Sequence, residues 1–117
     1  MNRQDEIRLR DMRDEARQTL DFMEGNTRQS LDDNKMLAYA VIRTLEIIGE
    51  AASKVSAETR AVYPQMKWRS IVGMRNRIIH DYSNVDLDIV WETITIQIPE
   101  LIAELDRILP SEDAENE

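Results

Sequence analysis

The sequence predicts an all-α domain of four to five helices. Three observations lead there. Apolar side chains recur at spacings of three and four almost from end to end, which places them on single helix faces. Only three glycines and three prolines interrupt 117 residues. No stretch alternates apolar and polar long enough for a half-buried strand. The length fits about one domain with one core. We place that domain at residues 1–110 and expect the acidic tail, 111–117, to be disordered.

The elements follow in order. Leu9, Met12, Ala16, Leu20 and Met23 share one face of a first helix over 5–24, with Arg10, Arg13, Asp14 and Arg17 on the other side. Gly25 suits the left-handed residue that ends a helix. Residues 26–30 connect, and Ser30 or Asp32 caps a second helix running to about residue 55. Its main stripe is Leu37, Val41, Leu45, Ile48, Ala52 and Val55. Ala40, Ile47 and Ala51 add another, so this helix is central or also meets a second subunit. Gly49 weakens a helix and is expected where another helix comes close. Arg43, Glu46 and Glu50 form a polar row, read either as solvated ion pairs or as support for a site.

Residues 56–63 form a short capped helix stopped before Pro64. Helix resumes near Lys67, with Trp68, Ile71, Val72 and Ile79 on one face. Residues 81–86 break it, and Asp86 caps the last helix, 87–109. Val90, Ile94, Ile98, Leu101, Leu105 and Ile108 form its stripe. Pro99 predicts a kink near residues 95–99, and Pro110 ends it.

Composition removes several classes of function. Apolar residues are 42% and charged residues 32%, as in soluble globular proteins. The absence of cysteine excludes disulfides and thiolate-bound zinc or iron–sulfur centres. A single histidine excludes His-pair metal motifs. No apolar run approaches the ~20 residues of a membrane span, and the first residues are too polar for a signal peptide, so we expect no membrane association and a cytoplasmic location.

Charge is distributed unevenly. The net charge is −8, and four of the acids lie in 111–117. Residues 59–80 contain no acid and five bases: Arg60, Lys67, Arg69, Arg75 and Arg77. That island ends at His80. It suits a phosphate, or equally an acidic partner.

The stretch 74–82 therefore carries the candidate chemistry. Arg75 precedes His80 by five residues, and Tyr82 follows by two. At about 100° per residue, Arg75 falls on the apolar stripe and His80 lies about 140° away. The two converge only if the helix ends near His80 or a second subunit brings its own copies. An imidazole titrates near physiological pH and can take a proton from a ribose 2′-OH or return one to a leaving 5′-oxygen. A guanidinium can grip the phosphate and stabilise its transition-state charge. Asn76 and Tyr82 can add hydrogen bonds to phosphate or sugar. The competing reading makes His80 and Tyr82 helix-end caps and Arg75 a core ion-pair partner of Glu46 or Glu50.

Trp68, Ile71, Gly73-Met74-Arg75-Asn76, Ile79-His80-Asp81-Tyr82, Val85-Asp86 and Val90-Trp91 together resemble the HepT-like branch of the HEPN superfamily. Residues 47–52 and Tyr63-Pro64 also fit, so the resemblance covers roughly residues 8–109. It implies an up-and-down helical bundle that dimerises. It implies the toxin of a toxin–antitoxin pair, a metal-independent endoribonuclease with no cofactor. Its R-x4-H-x-Y motif assigns catalysis to Arg75 and His80. It further implies a minimal nucleotidyltransferase (MNT-type) antitoxin that attaches AMP to Tyr82, where bulk and negative charge would block a phosphate site. The alternatives are a non-catalytic helical dimer that binds a nucleotide or docks the nucleotidyltransferase, and a plain structural bundle.

Overall fold

The computed structural model describes residues 1–81 and 84–110. The side chains of His80 and Asp81 fall outside that description, as do Tyr82, Ser83 and the tail 111–117, so the expectation about the tail is not addressed by it.

Helix α1 spans Arg3–Met23. Asn2 caps it, its Oδ1 accepting from the Asp5 amide at 2.7 Å. Leu9, Met12, Ala16 and Met23 are buried as the stripe requires, with Leu20 at the core margin. Gly25 follows with φ +77°, the left-handed conformation that glycine adopts most cheaply. The expected connector is partly helical: α2 spans Arg28–Asp33. Thr27, not Ser30 or Asp32, is its cap. Ser30 sits in the first turn and accepts from the Thr27 amide at 2.9 Å, which closes the end locally. Asn34 then caps α3, Lys35–Ser53, accepting from Leu37 N at 3.1 Å.

Helix α3 is the central element, packed against α1, α2 and the helical turns at Trp68–Val72 and Met74–Ile78. Val41, Leu45, Ile48 and Ala52 are buried along it. The Thr19 and Thr44 hydroxyls meet at 2.7 Å between α1 and α3. Asp5, at the other end of α1, reaches Ser56 just beyond α3. Those two contacts make α1 and α3 antiparallel. Asp5 is buried. It accepts from Ser56 N (3.0 Å), Ser56 Oγ (2.5 Å) and Thr59 Oγ1 (2.6 Å), tying the start of α1 to α4, Ala57–Val62.

The expected continuous helix over 67–80 is not formed. It divides into α5, Trp68–Val72, and α6, Met74–Ile78. Gly73 lies at the division, where it costs the helix least. The buried residues here are Ile71, Met74 and Ile78, whereas Trp68, Val72 and Ile79 are only partly covered. Arg75 therefore does not lie on an apolar face. It lies about 100° round from Met74 and is exposed. The chain then becomes extended: β1, Ile79–Asp81, pairs antiparallel with β2, Asn84–Val85. This two-stranded ribbon is an addition that the helical periodicity did not foretell.

Asp86 caps α7, Leu87–Glu92, through Oδ1 to the amides of Asp88 and Ile89, both 3.1 Å. The disturbance expected from Pro99 takes a specific form. Residues Thr93–Gln97 make a π-helical turn, and Ile98 N–H bonds back to Thr93 O, five residues away. The wider turn accommodates a proline that has no N–H and whose ring would press on the preceding turn. Helix α8, Ile98–Ile108, follows and packs on α1. Arg13, which the pattern placed on the outer side of α1, is buried there with Nη1 3.7 Å from Asp106 Oδ1; Arg17 also reaches Asp106, at 3.1 Å. Among the described residues no helix is long and apolar enough to cross a membrane.

Candidate active site

The site is built where α6 meets α3. Arg75 and Asn76 leave α6 on the side facing the polar row of α3. Together with Val72 they line a cleft of ≈ 340 Å³ with Arg43, Glu46, Gly49, Glu50 and Ser53. The row expected from Arg43, Glu46 and Glu50 thus runs beside Arg75, and Ser53 extends the same spacing by three residues.

Gly49 explains how the elements come so close. A Cβ on it would stand 3.2 Å from Ile71 O, closer than side chains normally approach a carbonyl, and in ordinary contact with Val72 O at 3.5 Å. The close approach expected from a mid-helix glycine is therefore present, between α3 and the end of α5. It brings the α5–α6 junction down onto the polar row.

Arg75 is 55% exposed, with Nε 3.5 Å from Glu46 Oε2. Arg43 Nη1 lies 3.8 Å from the same oxygen, so one carboxylate stands between two guanidinium groups. Lys54 holds Glu50 at 3.6 Å. Contact through Nε leaves the outer edge of the Arg75 guanidinium open to the cleft, the edge that a phosphate would take. The pairing of Arg75 with Glu46 is the one the core ion-pair reading required, but it is made at the surface. The plain structural bundle, which needed Arg75 buried, is not what forms.

His80 follows the end of α6. The helix closes at Ile78, and the His80 backbone belongs to β1. One of the two conditions for Arg75 and His80 to converge, a helix that ends close before the histidine, is thus met. The His80 side chain and the whole of Tyr82 lie outside the described residues. The π-turn is joined to α6 by Arg77, whose Nη2 donates to Gln97 Oε1 at 2.9 Å. Among the described residues no three His, Cys, Asp or Glu side chains are grouped to hold a metal ion.

The fold is thus a small all-α bundle that breaks a helix to expose an arginine and an asparagine beside a polar row, with a histidine on the strand that follows. Comparison with known proteins identifies the group. Residues 12–108 match the family model described as "Ribonuclease HepT-like", and the chain belongs to that family. It is thereby a ribonuclease by family. It is 36% identical over 98 residues to "Putative RNase MJ1216" of Methanocaldococcus jannaschii, covering 84% of this chain and 81% of that one. It is 37% identical over 93 residues to "Putative RNase TTE0752" of Caldanaerobacter subterraneus subsp. tengcongensis, covering 80% and 83%. It is 30% identical over 103 residues to "Probable ribonuclease HepT" of Thermococcus cleftensis, covering 85% and 94%. No solved structure matches the chain.

Proposed function

We propose that this ribonuclease is the toxin of a toxin–antitoxin pair and cuts RNA internally, without a metal, using Arg75 and His80. The observation that carries the reading is the cleft: α6 ends at Ile78, so Arg75 and Asn76 open onto a polar pocket and His80 follows at once. Arg75 binds the scissile phosphate and stabilises its added charge. His80 takes the 2′-OH proton. The 2′-oxygen attacks phosphorus, the P–O5′ bond breaks, and the leaving oxygen receives a proton. One imidazole cannot begin as both base and acid. A two-fold dimer supplies the second histidine. An exposed stripe on α3 supports that dimer: Met36 is 82% exposed and Tyr39 65%, and the stripe continues through Arg43 into the cleft. Asn76 and Tyr82 contact phosphate or sugar. An MNT-type nucleotidyltransferase restrains the toxin by attaching AMP to Tyr82.

The chemistry predicts its own products. Purified protein and RNA give fragments ending in a 2′,3′-cyclic phosphate, and an otherwise identical strand lacking 2′-hydroxyls stays intact. Prior AMP transfer to Tyr82 stops the reaction. New 3′-hydroxyl ends at the cleavage site, or cutting of the deoxy strand, would refute the mechanism.

A further inference from the structure

On the other side of α6 from Arg75 lies a second, broader groove, lined by Lys67, Trp68, Arg69, Ser70, Gly73 and Arg77. It collects three of the five bases in the acid-free island. Arg69 is exposed, and its guanidinium has no hydrogen-bond or ion-pair partner among the described residues. Lys67 Nζ is 3.4 Å from Glu100 Oε2, but both side chains are more than half exposed. A pair of that kind is worth about 0–1 kcal/mol and yields readily to a phosphate. Arg77 is anchored by the neutral amide of Gln97, so that contact leaves its charge uncancelled.

Trp68 is the rigid wall of this groove. Its indole N–H donates to Tyr63 O at 3.0 Å, and the Arg60 guanidinium lies 5.7 Å from the ring centroid. The Arg60 side chain is itself fixed, donating to Val55 O at 3.1 Å and Ala52 O at 2.9 Å. Gly73 contributes bare backbone, since a Cβ there would stand 3.1 Å from Arg69 O. Exposed cations beside an anchored aromatic wall suit single-stranded nucleic acid, whose phosphates take the charges while sugars and bases cover apolar surface. A protein partner of ordinary interface size would instead bury about 800 Å² on each side, far more than this groove presents.

We propose that this groove is a second RNA-binding track, in which Lys67 and Arg69 hold phosphates of the substrate strand outside the cleavage cleft. The proposal rests on the RNA-cleaving reading. Arg75 and Arg77 are two residues apart, about 200° round the same helix, so cleft and track are separated by roughly one helix diameter, ~10 Å. The track therefore serves long substrates and not a dinucleotide, which fills only the cleft.

The double variant Lys67→Ala/Arg69→Ala tests it. Both positions are exposed, and circular dichroism is expected to be unchanged. In a His80→Ala background, affinity for a labelled RNA of about 16 nucleotides falls about tenfold at about 0.1 M salt. The dependence of log K on log salt becomes shallower by about 1.4, two phosphates at about 0.7 each. With His80 present, KM for the long RNA rises about tenfold at unchanged kcat, whereas kcat/KM for a dinucleotide does not move. Unchanged binding of the long RNA overturns the track. So does an equal loss on the dinucleotide, which would place both residues in the cleft, or binding of an acidic peptide and not RNA. If the wild type cleaves and the double variant matches it, the track alone falls. If neither protein cleaves RNA but the variant loses affinity for it, the track stands and the cleavage mechanism falls.

Discussion

At the scale of single residues, Asp5 and Arg75 show how differently a charge can be placed. Asp5 is buried, and the Ser56 hydroxyl, then the Thr59 hydroxyl, hold its carboxyl below the ordinary carboxylate range against the opposing effect of burial; the Ser56 amide adds to them. A carboxyl depressed in the folded state stabilises the fold above its unfolded pKa, and that contribution is lost as pH falls through the lower, folded value. Asp5→Ala leaves the Ser56 and Thr59 donors unmet, so we expect a loss of about 1–3 kcal/mol at neutral pH. Urea melts should show the gap between wild type and variant narrowing in acid, as the part due to the ionised carboxyl is lost. A gap of constant size from neutral pH to the lowest accessible pH would contradict this account. The role of Asp5 is not legible in the local pattern, because its partners lie 51 and 54 residues away. For Arg75 the helical spacing predicts an apolar face, whereas the residue is exposed. Of the expected stripe Trp68, Ile71, Val72 and Ile79, only Ile71 is buried, and Met74 and Ile78 complete the buried side.

Among the elements, the long helices were the most legible. The stripes of α1, α3 and α8 are buried nearly as their spacing requires, since one periodic face meets one core. The stretch 67–85 was the least legible. Two five-residue helices and a short ribbon are too brief for periodicity to resolve, and a glycine junction sets their directions. Pro99 announced a disturbance, but a kink and a π-turn begin from the same missing N–H. Helix α3 carries the prediction at this scale. Its outer face offers Met36 and Tyr39 to solvent and leads into the cleft. If a second copy seats there, Tyr39→Asp, a change at an exposed position, shifts sedimentation from dimer to monomer and removes cleavage while helicity is kept. A monomeric wild type that still cleaves RNA, or a Tyr39→Asp dimer with full activity, would sink the shared site.

For the molecule as a whole, net charge and local charge point in opposite directions. The chain carries −8, yet its acid-free island supplies both the arginine of the cleft and the cations of the groove across α6. Global repulsion slows the approach of RNA, and the local field holds it once there, so activity should depend steeply on salt. The tightly packed α3–α5 contact at Gly49 matters because it fixes where those cations stand. The family and the all-α fold were readable from motif and periodicity together. The cleft itself was not, because it arises from two elements whose relative direction is set at a single glycine. The account stands on one comparison: RNA incubated in EDTA with wild-type protein, Arg75→Ala and His80→Ala, each confirmed folded. Cleavage by the wild type and a loss of at least about 100-fold in both variants is the predicted result. Full cleavage by His80→Ala, or by Arg75→Ala, would contradict it.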